Sequence, residues 1–105
     1  KFITSKVRNM DRMFKDSNFK FLDLRSFDTS EVTTMEEMFS GCSAISIDLT
    51  NFDTSKVINM QGMFYGAYNL ISLDISNFNF EKGEKFNRLF HSMNGYIKLC
   101  FNYRS

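Results

Sequence analysis

Apolar and polar residues alternate over short runs of this chain, widen to a three-residue spacing, and then alternate again. Leu22-Asp23-Leu24 and Ile47-Asp48-Leu49 set apolar side chains two apart, the period of a half-buried strand. Val7, Met10, Met13 and Phe14 stand at i, i+3, i+6 and i+7, which puts all four on one stripe of a helix. That spacing predicts a helix over Ser5–Lys15, with Thr4 or Ser5 as the hydroxyl that bonds its free N–H groups. The same pattern predicts helices over Val32–Phe39 and Val57–Phe64, ended near Gly41 and Gly66. Helices this short need tertiary packing. Gly62 inside the third costs about 1 kcal/mol against alanine, as if a close neighbour needed the space. Asp28, Thr29 and Ser30 offer local hydrogen bonds for the turn into the second helix.

The whole pattern recurs. Shifted by 25 residues, the chain superposes Phe2, Phe27 and Phe52; Val7, Val32 and Val57; Met10, Met35 and Met60; Met13, Met38 and Met63; and Phe14, Phe39 and Phe64. TSKV at Thr4–Val7 returns at Thr54–Val57, with TSEV at Thr29–Val32 between them. A further copy follows at a spacing of 26 from Leu73, after one insertion near Ile71. Self-similarity at such a period marks a repeat architecture. The chain reads as one domain over 1–105: a partial copy at 1–21, copies at 22–46 and 47–72, and a divergent terminal copy at 73–105. In that last copy Glu81–Lys85 replaces the cap region, Phe86, Leu89 and Phe90 keep the stripe, and Tyr96, Ile97 and Leu99 suggest a final strand. Phe2 already sits in a mid-repeat column, so a piece of a longer array is expected.

One copy cannot bury its own strand face and helix stripe. Stacking buries both, so the expected fold class is α/β: a solenoid with one short parallel strand plus one short helix per 25–26-residue repeat. Phe14, Phe39, Phe64 and Phe90 would form one ladder along the axis, and Phe27, Phe52 and Phe78 another. The open end of such a stack leaves an unpaired strand edge, through which self-association is expected.

Composition narrows the classes. Lys and Arg total 13 against 12 Asp and Glu, a balance that argues against a nucleic-acid binder. No apolar run approaches the roughly 18 residues of a membrane-crossing helix, so no direct membrane insertion is expected. No signal sequence or lipid-anchor motif lies within the chain. Six of the 7 Met fall in M-x-x-M pairs and read as core. Cys42 and Cys100 occupy different columns about two coils apart, so two free thiols are expected, Cys42 as a small buried hydrophobe.

The runs IDLTNFDTSKVINMQGMFYGAYNL and LDLRSFDTSEVTTMEEMFSGCSAI resemble bacterial surface-protein repeats of mycoplasma-lipoprotein type, grouped with the BspA-like leucine-rich repeats. The likeness extends to about Leu99. It implies a leucine-rich-repeat-like solenoid, display on or secretion from a bacterial cell, and adhesion to proteins of a host or neighbouring cell. It carries over no catalytic residue.

Candidate chemistry is confined to outward positions. Asp23, Asp48 and Asp74 share one column, and three carboxylates at strand spacing repel one another. A bound cation such as calcium is one answer; solvation with Arg25, Thr50 and Ser76 alongside is the other, and no calcium-loop motif supports the first. Tyr65 and Tyr68 are candidate contact aromatics. The columns Lys6, Glu31, Lys56 and Arg12, Glu37 alternate in sign and suggest ion pairs between copies. His91 is the single histidine, Glu81 and Glu84 its only divergent acidic neighbours, and no nucleophile, metal or phosphate motif is present. The expectation is therefore no enzyme, no cofactor and no metal. It is a binding or adhesion module for a protein or glycan, with a structural spacer as the alternative. The binding face expected comprises Asp23, Asp48, Asp74, Arg25, Thr50 and Ser76.

Overall fold

The computed structural model describes residues 4–79 and 88–91, and the backbone of 98–100. Short parallel strands are present, but the first two lie ahead of the expected Leu22–Leu24 and Ile47–Leu49 and share one residue with each. Among the described residues four short strands run in chain order: β1 (Phe21–Leu22), β2 (Ser46–Ile47), β3 (Ser72–Asp74) and β4 (Lys98–Cys100). β1 pairs with β2, with Phe21 opposite Ser46; β3 pairs with β4, with Leu73 opposite Leu99; both pairings are parallel. The Ile71 N–H donates to the Ile45 carbonyl at 3.2 Å, which links the two pairs. A second line of parallel contact joins Asn9 to Thr34 and Thr34 to Asn59. Equivalent residues of successive repeats therefore lie side by side, and each repeat forms one coil of a stack.

The expected α/β solenoid with a helix in every repeat is overturned, because the described residues contain no helix. The M-x-x-M-F segments are chains of tight turns. In the first coil the N–H groups of Met13, Lys15 and Ser17 bond the carbonyls of Met10, Arg12 and Phe14, each three residues back. The N–H groups between them leave the coil: Met10, Arg12, Phe14 and Asp16 donate to Thr34, Glu36, Met38 and Ser40 of the next. An α-helix needs every interior N–H for the residue four back, and here half are committed to a neighbouring coil. The backbone also changes hand every fourth residue. Arg12 and Asp16 have φ of 57° and 58°, Gly62 and Gly66 of 64° and 71°. A residue in that left-handed region ends a right-handed helix. Consecutive three-residue turns repeat apolar positions at nearly the helical spacing, which is why the pattern reads as helical. The part of the fourth expected helix at Phe86 lies outside the described residues, as do Glu81, Glu84, Tyr96, Ile97 and the Cys100 side chain.

Gly62 is thus explained by backbone conformation more than by crowding. A Cβ there would touch the Glu37 Cγ at an ordinary 3.4 Å, but the φ of 64° is one that L side chains rarely adopt.

The core lies between the strands and the turn segments. Met35, Met38, Met60 and Met63 are completely buried, as are Phe39 and Phe64. The expected ring ladder is present: Phe14 stacks on Phe39 at 5.6 Å, Phe39 on Phe64 at 5.6 Å, and Phe64 on Phe90 at 6.4 Å. Phe27, Phe52 and Phe78 are buried in the same core. Cys42 is free and buried, and burial pushes its thiol pKa up.

The threonines of the TSxV runs do not cap helices. Thr4, Thr29 and Thr54 are buried, and their hydroxyls cross to the next coil. Thr4 Oγ1 donates to the Asp28 carbonyl at 3.1 Å and accepts from the Asp28 N–H at 2.7 Å. Thr54 Oγ1 accepts from the Asn79 N–H at 2.7 Å. A buried hydroxyl without such partners would cost free energy, so the recurrence of threonine in this column has a structural cause.

Candidate functional site

Strand alternation sorts the residues around β1, β2 and β3 into two faces. Leu24, Ile47, Leu49, Leu73 and Ile75 are buried. Phe21, Asp23 and Arg25 point outward, as do Ser46, Asp48 and Thr50, and Ser72, Asp74 and Ser76. All six expected binding residues therefore lie on one exposed face, in rows one coil apart. Phe21 heads the first row and is 70% exposed. Sequence reasoning misses it as a candidate, although its two-residue spacing from Asp23 assigns it to that face.

Local geometry shows what offsets the repulsion in the aspartate column. Asp48 Oδ1 accepts the Thr50 N–H at 3.0 Å and the Thr50 hydroxyl at 2.7 Å. Asp74 holds Ser76 in the same way, at 3.0 and 2.6 Å. Asp23 accepts from the Arg25 N–H and Nε through Oδ1, and from Arg25 Nη2 through Oδ2. Each carboxylate closes its own turn, the role short acidic side chains play beside a free N–H two residues on. The Thr50 hydroxyl and the Arg25 charge hold Asp48 below the ordinary carboxylate range, and the Ser76 hydroxyl does so for Asp74. The Arg25 guanidinium brings Asp23 down to about 2. Each row therefore carries an ionised carboxylate at neutral pH, and Arg25 neutralises the one in the first row, leaving the Asp48 and Asp74 rows anionic. Among the described residues no three His, Cys, Asp or Glu side chains converge as a metal ion would require.

The two tyrosines differ. Tyr65 is partly buried and stacks on His91 of the next coil at 5.2 Å and 12°, so it serves coil packing. Tyr68 is 66% exposed. The expected charge pairs form only in part: among the described residues no ion pair joins Lys6 to Glu31, and Arg12 shifts its partner. Lys56 meets Glu31 at 2.8 Å. Arg12 meets Glu36, not Glu37, at 2.8 Å, and Glu37 takes Lys15 at 2.9 Å. Neighbouring coils bond from residue i to i+24 in this segment, so the facing side chain is one position earlier than its column mate. These pairs are well exposed and are worth about 0–1 kcal/mol each.

Two further side chains escape the sequence reading. The Asn51 amide donates to the carbonyls of Leu24, Arg25 and Phe27 at 3.1, 3.3 and 2.8 Å. Asn77 does the same one coil on, to Leu49, Thr50 and Phe52. The recurrent Asn-Phe pair at Asn51-Phe52 and Asn77-Phe78 is the available signal. These amides lock the outward face to the preceding turn and hold its rows in register.

No curated protein and no solved structure matches the chain. A family model does match it, over residues 1–100, and its description is a Mycoplasma protein of unknown function, DUF285. With nearly its full length covered, the chain belongs to this family of Mycoplasma proteins.

Proposed function

We propose that the chain is a non-enzymatic binding or adhesion module of a bacterial surface or secreted protein, and that its outward face meets a protein or glycan on a host or neighbouring cell. The observation that carries this reading is the repetition of that face. Phe21-Asp23-Arg25, Ser46-Asp48-Thr50 and Ser72-Asp74-Ser76 offer similar exposed groups in successive rows. Equivalent weak contacts on a rigid support add as avidity. Membership in a Mycoplasma family is consistent with display at a cell surface. The likeness of the LxLxxFDTS and MxxMFxG runs to BspA-like surface proteins supports the same placement.

The test uses labelled chain on cultured animal cells, with unlabelled chain as competitor. Asp48→Asn with Asp74→Asn keeps a side-chain oxygen for each turn and removes both charges. The double variant should bind about tenfold more weakly, the effect of losing about 1.4 kcal/mol of contact. Saturable binding unchanged in this variant and in Phe21→Ser would show the face to be wrong. A spacer role, holding another domain off the cell surface, is favoured by one observation: each aspartate of the row is already engaged within its own turn. No saturable binding by the wild-type chain would decide for the spacer.

A further inference from the structure

Large apolar side chains stay exposed where the coils turn into their strands. Phe21 is 70%, Tyr68 66% and Ile71 59% exposed. Backbone bonds set this corner in line. The Ile45 N–H donates to the Lys20 carbonyl at 2.8 Å and the Ile71 N–H to the Ile45 carbonyl at 3.2 Å, so Lys20, Ile45 and Ile71 share one column. Phe21 follows Lys20 and lies opposite Ser46, and Ile45 is half-buried. An apolar stripe therefore runs along the stack from Phe21 through Ile45 to Ile71. Tyr68 stands at the same corner because the period breaks there. Buried Cys42 and Ala44 are two residues apart, whereas buried Ala67 and Leu70 are three apart. The extra residue falls in a turn closed by the Leu70 N–H and the Ala67 carbonyl at 3.4 Å, with exposed Tyr68 and Asn69 at its tip. A contiguous apolar patch rimmed by polar groups marks an interaction site, where scattered single residues do not.

Charge narrows what can cover the stripe. Asp48 and Asp74 stand two residues beyond Ser46 and Ser72, roughly 6.7 Å further along their strands. Each commits Oδ1 to its own turn, and its Oδ2 has no partner among the described residues. Arg25 pairs with Asp23 instead. Negative charge thus flanks the stripe at the Asp48 and Asp74 rows, and Lys20 sets a positive charge beside Phe21. Spacing narrows it further. Two coils advance about 9.6 Å along the stack and two helical turns about 10.8 Å, a mismatch that flexible side chains absorb. An extended segment laid the same way repeats its facing side chains only every 6.8 Å or so and falls out of step with the coils at once.

We propose that this stripe docks a basic amphipathic helix of a protein partner, laid along the stack. The docking rests on the outward face being a binding face, and it adds the chemistry of the partner. Apolar residues on successive turns of the helix lie on Phe21, Ile45 and Ile71, with Tyr68 alongside. Lys or Arg on the adjoining flank meets the free oxygens of Asp48 and Asp74. Lys20 sets the direction, because it repels a basic residue placed over it and confines the partner's positive charge to the Asp48 and Asp74 rows. Apolar anchors one turn apart supply affinity, as in other helix-in-groove contacts, and the charges supply orientation and on-rate.

The probe is a fluorescein-labelled amphipathic peptide of leucine and lysine, about 18 residues long, which makes about five helical turns. Fluorescence anisotropy with the 105-residue chain should show saturable binding. A peptide with glutamate in place of lysine, and one with the leucine-lysine order scrambled, should each bind at least about tenfold more weakly. Phe21→Ser with Ile71→Ser should weaken the leucine-lysine peptide about tenfold. Both positions are exposed and serine already stands in the Phe21 column at Ser46 and Ser72, so the fold is kept, as a thermal melt checks. Asp48→Asn with Asp74→Asn should also weaken it and should flatten its dependence on salt. No saturable binding of the leucine-lysine peptide overturns the docking. So does equal binding of the glutamate or scrambled peptide, or binding unchanged in Phe21→Ser with Ile71→Ser. Where the wild-type chain still binds cells in those cases, the outward face remains a binding face and only the helical partner is lost.

Discussion

The Thr29 hydroxyl and the Asp53 peptide exchange two hydrogen bonds across neighbouring coils. Oγ1 donates to the Asp53 carbonyl at 3.0 Å and accepts from its N–H at 2.8 Å. Thr29 is almost completely buried, so water cannot substitute. Thr29→Val keeps the shape and strands both backbone groups. Leaving buried polar groups unsatisfied costs about 1–3 kcal/mol each, and the variant should lose about 2–4 kcal/mol in urea denaturation. A loss comparable to that of an exposed substitution such as Ser5→Ala would mean that the bridge contributes little.

Gly62→Ala separates turns from helix by the sign of its effect. Inside a helix, alanine would stabilise by about 1 kcal/mol over glycine. At a φ of 64° it should destabilise by about 1–2 kcal/mol. Thermal melts of the two proteins decide between these outcomes.

Asn51 holds its place as a donor. Asn51→Ala removes the bonds to Leu24, Arg25 and Phe27 and should cost about 1–2 kcal/mol, because water reaches this rim in part. Asn51→Asp has the same shape but sets a carboxylate against three carbonyl oxygens. It should be the more damaging of the two at pH 7 and should recover part of its stability in acid, as the carboxyl is protonated. Equal stability of the two variants across pH would exclude this account.

Acid should loosen the outward face. Asp23, Asp48 and Asp74 have folded pKa values below the ordinary carboxylate value of 3.8, and Asp28 and Asp53 are lowered by the Ser30 and Ser55 hydroxyls. The unfolded chain therefore binds protons first as pH falls. The stability these turns contribute is fully present above about pH 5 and declines through pH 3.8 towards the Asp23 value of about 2. Denaturation midpoints should fall over that window. Asp48→Asn with Asp74→Asn should flatten the fall, and an unaltered pH profile would exclude the turn carboxylates as its source.

Much of the stack is legible in the order of residues alone. The period, the parallel pairing of Leu73 with Leu99, the ring ladder from Phe14 to Phe90 and the outward column of Asp23, Asp48 and Asp74 all follow from which residues recur. Burial acts on side chains, and recurrence in sequence becomes adjacency in space whenever copies stack.

The sequence by itself determined which side chains recur, which must be buried together and which must face water. Only the tertiary structure decided the backbone path between them. Val7, Met10, Met13 and Phe14 fit a helix and a run of turns equally well, because both return an apolar residue after three or four positions. The choice depends on where the N–H of Met10, Arg12, Phe14 and Asp16 find acceptors, and those acceptors lie 24 residues away in the next coil. The same stagger moves Arg12 from Glu37 to Glu36 and lets Asn51 reach back to Phe27. Backbone hydrogen bonds between coils carry no signature in any single side chain, so they become visible only when the coils are in place.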